Sequence, residues 1–347
     1  MKSVKFFLVI IAAAVIAGCA PGGGGGVGSE SRTLLTVDFQ KGQTLKYLFT
    51  SKRTMDVDWG QGQKTTRSRG KVNQFIDSMR LTVSYTPTDV DPYGLTTIKA
   101  LCEQAWAHHA ESIRNQSQPD AVESLSGKTW TFTVDATGKT ADDNELRDVI
   151  REAGKKAFRA DTSRGLIKEP DMIYDFIASQ WFLWDSISSI KKPAEGVRIG
   201  DMWKSQLSVP SPMFLFTGRD VNYTLAEIRK EPNNDNVAVI NSSYSPFHPT
   251  PSEWPLPYTE RFMMSGTFGF LRNYKVLDLK GSGQEFFNID KGQIQRSEQQ
   301  WEMNVSASLP LEIGPKPTIN IKQSLTMELI EPASSKTNPA PVKTQGN

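Results

Sequence analysis

Between residues 33 and 140, and again from 196 to 330, apolar and polar side chains alternate in runs broken by turn formers. That period of two constrains the fold more than any other feature. Leu45 to Thr50, Met55 to Trp59, Arg80 to Tyr85, Leu95 to Cys102 and Thr129 to Asp135 read as strands rich in aromatic and β-branched residues. Residues 64–76 read as a more polar strand. Turns are expected at Lys41-Gly42-Gln43, Gly60 to Gln63, Pro87 to Gly94 and Ala136 to Lys139. The stretch 103–124 fits either a helix or a polar extension of a strand. Val197 to Lys204 reads as a turn into a strand, and Val221 to Ile228 and Val237 to Ser243 read as a hairpin across Glu231 to Asn236. Further strands are expected at 268–279, 283–290, 293–308 and 318–330, after a proline-rich loop at 245–258 that carries Phe247, Trp254 and Tyr258.

The period changes to that of a helix between 141 and 195. Leu146, Val149, Ile150, Ala153 and Ala157 share one face, with acids at the start and Lys155 and Lys156 at the end, as the helix dipole favours. A second helix begins near Pro170, carries Ile173, Phe176, Ile177, Leu183, Trp184, Ile187 and Ile190 on its apolar face, and stops before Pro193. The fold class is therefore mainly β (α+β): two antiparallel curved sheets, sandwich or half-barrel halves, joined by a two-helix segment. The halves span 33–140 and 196–330, and the helical segment spans 141–195. Gly127 to Lys139 and Gly283 to Gln293 resemble one another, each an aromatic strand followed by Asp and a glycine turn. This reads either as an internal repeat or as a chance likeness between hairpins.

The ends of the chain carry an address. Lys2 and Lys5 precede an unbroken apolar run, Phe6 to Ala17, too short for a stable membrane span. Ile16-Ala17-Gly18-Cys19 then resembles a lipobox, so residues 1–18 read as a lipoprotein signal peptide and Cys19 as the lipidated residue. The alternative is an ordinary secretory signal cut elsewhere. Residues 19–32 form a glycine-rich tether, and the Pro-, Ser- and Lys-rich residues 331–347 read as a disordered tail. A multiply acylated cysteine holds a protein on a membrane without spanning it. Ala20 after the cysteine favours the outer membrane within a bacterial envelope.

Lipobox, glycine spacer, the Lys-Gly-Gln turn beside an aromatic strand, two helices and Val197-Arg198-Ile199-Gly200-Asp201-Met202-Trp203 together resemble an uncharacterised domain-of-unknown-function family of bacterial envelope lipoproteins, over about residues 34–330. The resemblance implies a β-rich body and carries no activity. Helices lying against a curved antiparallel sheet are also similar in architecture to periplasmic carriers of lipidated proteins.

Searches for chemistry return little. Lys+Arg total 40 against 38 Asp+Glu, so no field steers the chain toward nucleic acid. Ser188-Ser189-Ile190-Lys191 has the Ser-x-x-Lys spacing but falls at a helix end and lacks its companion motifs. His108 and His109, with Glu103 and Glu111, diverge on either a strand or a helix and form no metal site. Asp56-Val57-Asp58 and Asp89-Val90-Asp91 begin like calcium loops, but the later ligands are missing. Once Cys19 is spent, Cys102 stands alone as a buried apolar thiol. No catalytic residue, cofactor or metal is assigned. The expected function is a non-catalytic, membrane-anchored binding module for a hydrophobic, peptide or envelope-protein ligand, lined by Trp181, Trp184, Phe247, Trp254 and Tyr258. The alternatives are a structural or assembly factor of the envelope and, less favoured, a hydrolase.

Overall fold

A computed structural model describes residues 31–60, 73–111, 120–157, 166–167, 171–247, 255–258, 263–264, 266–310 and 316–330. Cys19, the tether, the tail, Trp254 and the expected strand residues 64–72 lie outside them. Eleven strands form one antiparallel sheet. In chain order these are β1 (Leu45–Asp58), β2 (Asn73–Val90), β3 (Thr96–Glu111), β4 (Thr129–Val134), β5 (Thr140–Asp142), then β7 (Met202–Ser208), β8 (Gly218–Lys230), β9 (Asn236–Phe247), β11 (Arg272–Asn288), β12 (Gln293–Ser308) and β13 (Thr318–Ile330). Two short strands, β6 (Leu166–Ile167) and β10 (Met263–Met264), pair with each other in parallel.

The sheet order is β5-β4-β3-β2-β1-β13-β12-β11-β9-β8-β7. The first and last long strands therefore meet in the middle, with register running from Lys46 opposite Ile330 to Asp58 opposite Thr318. That ladder corrects the expectation of two sheets: the strands before and after the helices share one. Its alternation is the period of two read in the sequence. In β1, Phe49, Ser51, Arg53, Met55 and Val57 are buried on the inner face, while Lys52 points out.

Several expected boundaries shift. Pro87 to Val90, expected in a loop, remains in β2 across a bulge, and Pro87 still accepts from Gly42 N–H at 2.8 Å. The ambiguous stretch after Glu103 continues β3 as far as Glu111. Residues 280–282, left between the two expected strands 268–279 and 283–290, lie inside the continuous β11. At Gly281 any side chain would meet the Gln300 carbonyl at 2.4 Å and the Tyr244 ring at 2.6 Å. The glycine thus marks close packing and not a turn.

The helical segment covers the inner face. Helix α1 (Asn144–Ala157) buries Leu146, Ile150 and Ala153 as its spacing requires. The expected second helix is interrupted: α2 (Ile173–Trp181) and α3 (Asp185–Ser188) are separated by Phe182-Leu183-Trp184. Every residue from Ile173 to Gln180 is buried, so α2 is enclosed on all sides, and Leu183, Trp184 and Ile187 continue that core. A short helix, α4 (Gly266–Phe270), stands where the strand at 268–279 was expected to begin.

Candidate functional site

The sheet curls until its two ends face each other. Gly138, Lys139 and Thr140 at the β5 end and Ser205 to Ser208 on β7 line the same cleft, of about 550 Å³. Between them the floor is Trp181, Phe182, Trp184, Asp185, Ser188 and Ser189, from the α2–α3 turn. Asp143, just before α1, and Arg147 of α1 complete the β5 side.

This floor is held rigidly. Trp184 packs edge-on to Phe39, with centroids 5.4 Å apart, and against Phe132 at 6.1 Å. Gly138 lets the preceding turn press onto it: its φ is +86°, and a Cβ there would sit 2.7 Å from the Trp184 Cβ. The Arg147 guanidinium lies 4.6 Å over the Trp181 ring and bonds Asp143 at 2.8 Å. Asp185 accepts from Ser205 at 2.9 Å and from Tyr223 at 2.7 Å, and burial holds its carboxyl above the usual carboxylate range. The Trp203 indole donates to the Ser186 carbonyl at 2.7 Å. Of the hydroxyls on the cleft lining, those of Ser189 and Ser208 stay unmatched, the latter residue only 2% exposed.

Of the residues expected to line a ligand site, Trp181 and Trp184 fall in this cleft. Phe247 lies two strands from Ser208 in one cross-strand row, Ser208–Gly218–Phe247, outside the cleft lining. Tyr258 is buried elsewhere and donates to Asp171. Trp254 is outside the described residues.

The inner face is a packed core with a polar seam. One cross-strand row runs Tyr244–Gly281–Trp301–Gln323–Arg53–Asp77–His109. Arg53, fully buried, bonds Asp77 at 2.9 Å, Asp175 of α2 at 3.1 Å and the Asp171 carbonyl at 3.3 Å. Ser51 and Gln323 also donate to Asp175. His109 is bracketed by Asp77 at Nδ1 and Asp120 at Nε2, both at 2.8 Å. Burial opposes a charged ring there, but the bonds to Asp120 and Asp77 outweigh it and push the imidazolium up to about 10. Asp77 would be raised by burial, yet Arg53 and His109 hold it below the usual range. Burial raises Asp175 to about 6 against the pull of Arg53, and raises Asp171 to about 7 with Asp120 adding to it. A histidine locked as imidazolium with both nitrogens engaged is no general base. The seam pins α2 to the sheet.

At the other end of that row, Gly281 separates Tyr244 from Trp301, and the Arg219 guanidinium lies 4.4 Å and 5.1 Å from their rings. It donates to Gln299 at 2.9 Å. A small pocket of about 20 Å³ nearby, lined by Phe49, Phe182, Glu285 and Gln299 among others, has room for about one water. Burial pushes Glu285 up to about 7, and Ser186 donates to it.

The remaining sequence candidates are placed as β3 alternation requires. His108 stacks on Trp106 at 5.9 Å, on the face opposite His109. Glu103 bonds Lys46 at 2.6 Å. Among the described residues, no group of three or more His, Cys, Asp or Glu side chains is placed to hold a metal. The sequence reading missed Asp77, Asp120, Asp171 and Asp175, which come from three separate segments. The only local sign was an Arg and an Asp at inward-facing positions of strands.

No family model matches the sequence. No curated protein matches it either. Among solved structures, the chain is similar to one of lipovitellin described for its lipid–protein interactions, with 9% identity and a TM-score of 0.38. The likeness covers 87% of this chain and 27% of that one, and at this distance it carries no argument.

Proposed function

We propose that the chain is a lipid-anchored envelope protein, attached through Cys19, whose β body is a non-catalytic binding module with its ligand site in the cleft between the ends of the sheet. The lipobox pattern supports the anchor, and Ala20 supports the outer membrane. The strands on either side of the helices are read as two β halves that share a single sheet through β1 and β13. One observation carries the binding site. The chain's own α2 fills the hollow of the sheet, while about 550 Å³ stays open beside Trp181, Phe182 and Trp184, walled by hydroxyls of which two have no partner. A cleft with an aromatic floor and polar walls suits a ligand of mixed character better than a bare acyl chain.

The test is mass spectrometry of material retained by the natively extracted full chain, compared with the Phe182→Glu variant. The account expects an enriched species that the variant loses. No enriched species, or equal retention by both, counts against it. The filled hollow also favours the second reading, an assembly factor that works through its outer surfaces.

A further inference from the structure

The two ends of the sheet are finished differently. β5 has three residues and meets β4 across a bulge, which leaves little edge to pair with. β7 has seven residues in unbroken register with β8, from Met202 opposite Thr224 to Ser208 opposite Gly218. It contains no proline and no bulge, and Lys204 is its single charge. About half the peptide groups of an edge strand point away from its neighbour. Among the described residues, no backbone group of Met202–Ser208 has a backbone partner outside the β8 ladder. A long, regular, unblunted edge is the kind that proteins normally protect unless it is used.

The second half of that edge, Ser205 to Ser208, opens into the cleft, and the cleft selects the occupant. Gly138 to Thr140 and Arg147 wall the far side, so a second whole sheet has no approach, whereas one extended chain does. A strand residue takes up roughly 160 Å³ at normal rise, strand spacing and sheet spacing. The 550 Å³ of the cleft therefore accommodates about three to four residues. The buried, unpartnered hydroxyl of Ser208 lies on this strand and that of Ser189 on the floor, so both donors and acceptors await a polar backbone. Ser205, three residues before Ser208 and so on the opposite face of the strand, is already taken by Asp185.

We infer that the cleft receives an extended peptide segment of a partner protein, which adds antiparallel or parallel to the free edge of β7 as a twelfth strand. The inference rests on the binding-module reading and names its ligand class. Affinity comes from the main-chain ladder. The Trp181–Phe182–Trp184 floor takes the inward side chains, and the hydroxyls of Ser189 and Ser208 take the polar groups between them.

The test uses the full chain in detergent and a displayed library of random linear peptides as probe. Selected peptides are expected to slow hydrogen exchange at alternate amides of Ser205–Ser208, the part of β7 that lines the cleft. N-methylation at every second peptide nitrogen should weaken binding about tenfold or more, the effect of unpairing one buried backbone group, while the nitrogens between tolerate it. Peptides that bind without protecting β7, or a library that yields no binder, overturn strand addition. So does protection of β7 that rises with protein concentration in the absence of peptide, which identifies a second copy as the occupant. If a retained non-peptide ligand perturbs Trp181 and Trp184 while the β7 amides stay unchanged, strand addition fails and the cleft reading stands. If neither responds to any ligand, both fail.

Discussion

Replacing Arg53 with Met removes the one cation that joins β1, β2 and α2. Arg53 and Asp175 are both fully buried, and Asp77 nearly so. Burial lifts Asp175 from 3.8 to about 6 even with the guanidinium 3.1 Å away. Its ionised form at pH 7 therefore already carries about 3 kcal/mol of unrecovered burial. Without Arg53 two carboxylates lose their counter-charge, and breaking such a buried pair costs about 3–5 kcal/mol. Urea unfolding followed by tryptophan fluorescence should show the midpoint falling with an unchanged slope. The double variant Arg53→Met with Asp175→Asn should regain part of the loss, because it no longer buries the unpaired charge of Asp175.

The pH dependence has a definite sign. Asp171 and Asp175 bind protons more tightly folded than unfolded, so their contribution is full below 3.8 and is lost as pH rises through about 6 and about 7. His109 contributes fully below 6.5 and loses that contribution as pH rises through about 10. Asp77, held below 3.8, acts oppositely, and its contribution is lost only in acid. Stability should therefore fall from about pH 5 to about pH 9, and Arg53→Met should cost less at the acid end, where Asp175 is protonated. A single variant within about 1 kcal/mol of wild type, or a double variant no better than the single, would refute the seam as the pin that holds α2.

Three other perturbations test the same structure. Burial, with Glu103 adding to it, pushes the Cys102 thiol up to about 12, so iodoacetamide at mildly alkaline pH should spare the native chain and label it in urea; rapid native labelling contradicts this. Gly154→Ala should lower the melting temperature although alanine favours helix by about 1 kcal/mol, because its Cβ would stand 2.0 Å from the Pro257 carbonyl oxygen; an unchanged or higher melting temperature shows that the contact yields freely. Labelled palmitate should enter the wild-type chain and be lost with Cys19→Ser; equal incorporation in both removes the anchor from the account.

The strands were legible because one face of the sheet is buried along its length, which forces alternation in β1, β2, β12 and β13. Sequence signals failed where tertiary packing overrode them. Gly281 and Gly283 carry turn chemistry but serve a close approach to Tyr244. Pro87 breaks patterns on paper yet fits a bulge. The apolar face of 173–190 was visible as a helical period, but its interruption at Phe182 to Trp184 left no local mark, and that interruption forms the floor of the cleft. Trp181 and Trp184 were visible as candidates because aromatic residues at a helix end are conspicuous. Ser189, Ser205 and Ser208 were not, since their importance comes only from the two sheet ends meeting.

The most direct test places the ligand relative to α2. The chain has eight tryptophans, which allows 5-fluorotryptophan labelling of the full protein and fluorine NMR before and after its retained ligand is removed. Trp181 and Trp184 line the cleft, whereas Trp130 and Trp301 are buried on the inner face of the sheet, Trp130 against Phe176 of α2. The account predicts that the resonances of Trp181 and Trp184 shift while those of Trp130 and Trp301 hold still. Movement of Trp130 and Trp301 with Trp181 and Trp184 unchanged would mean that the ligand displaces α2 and enters the hollow, which contradicts it.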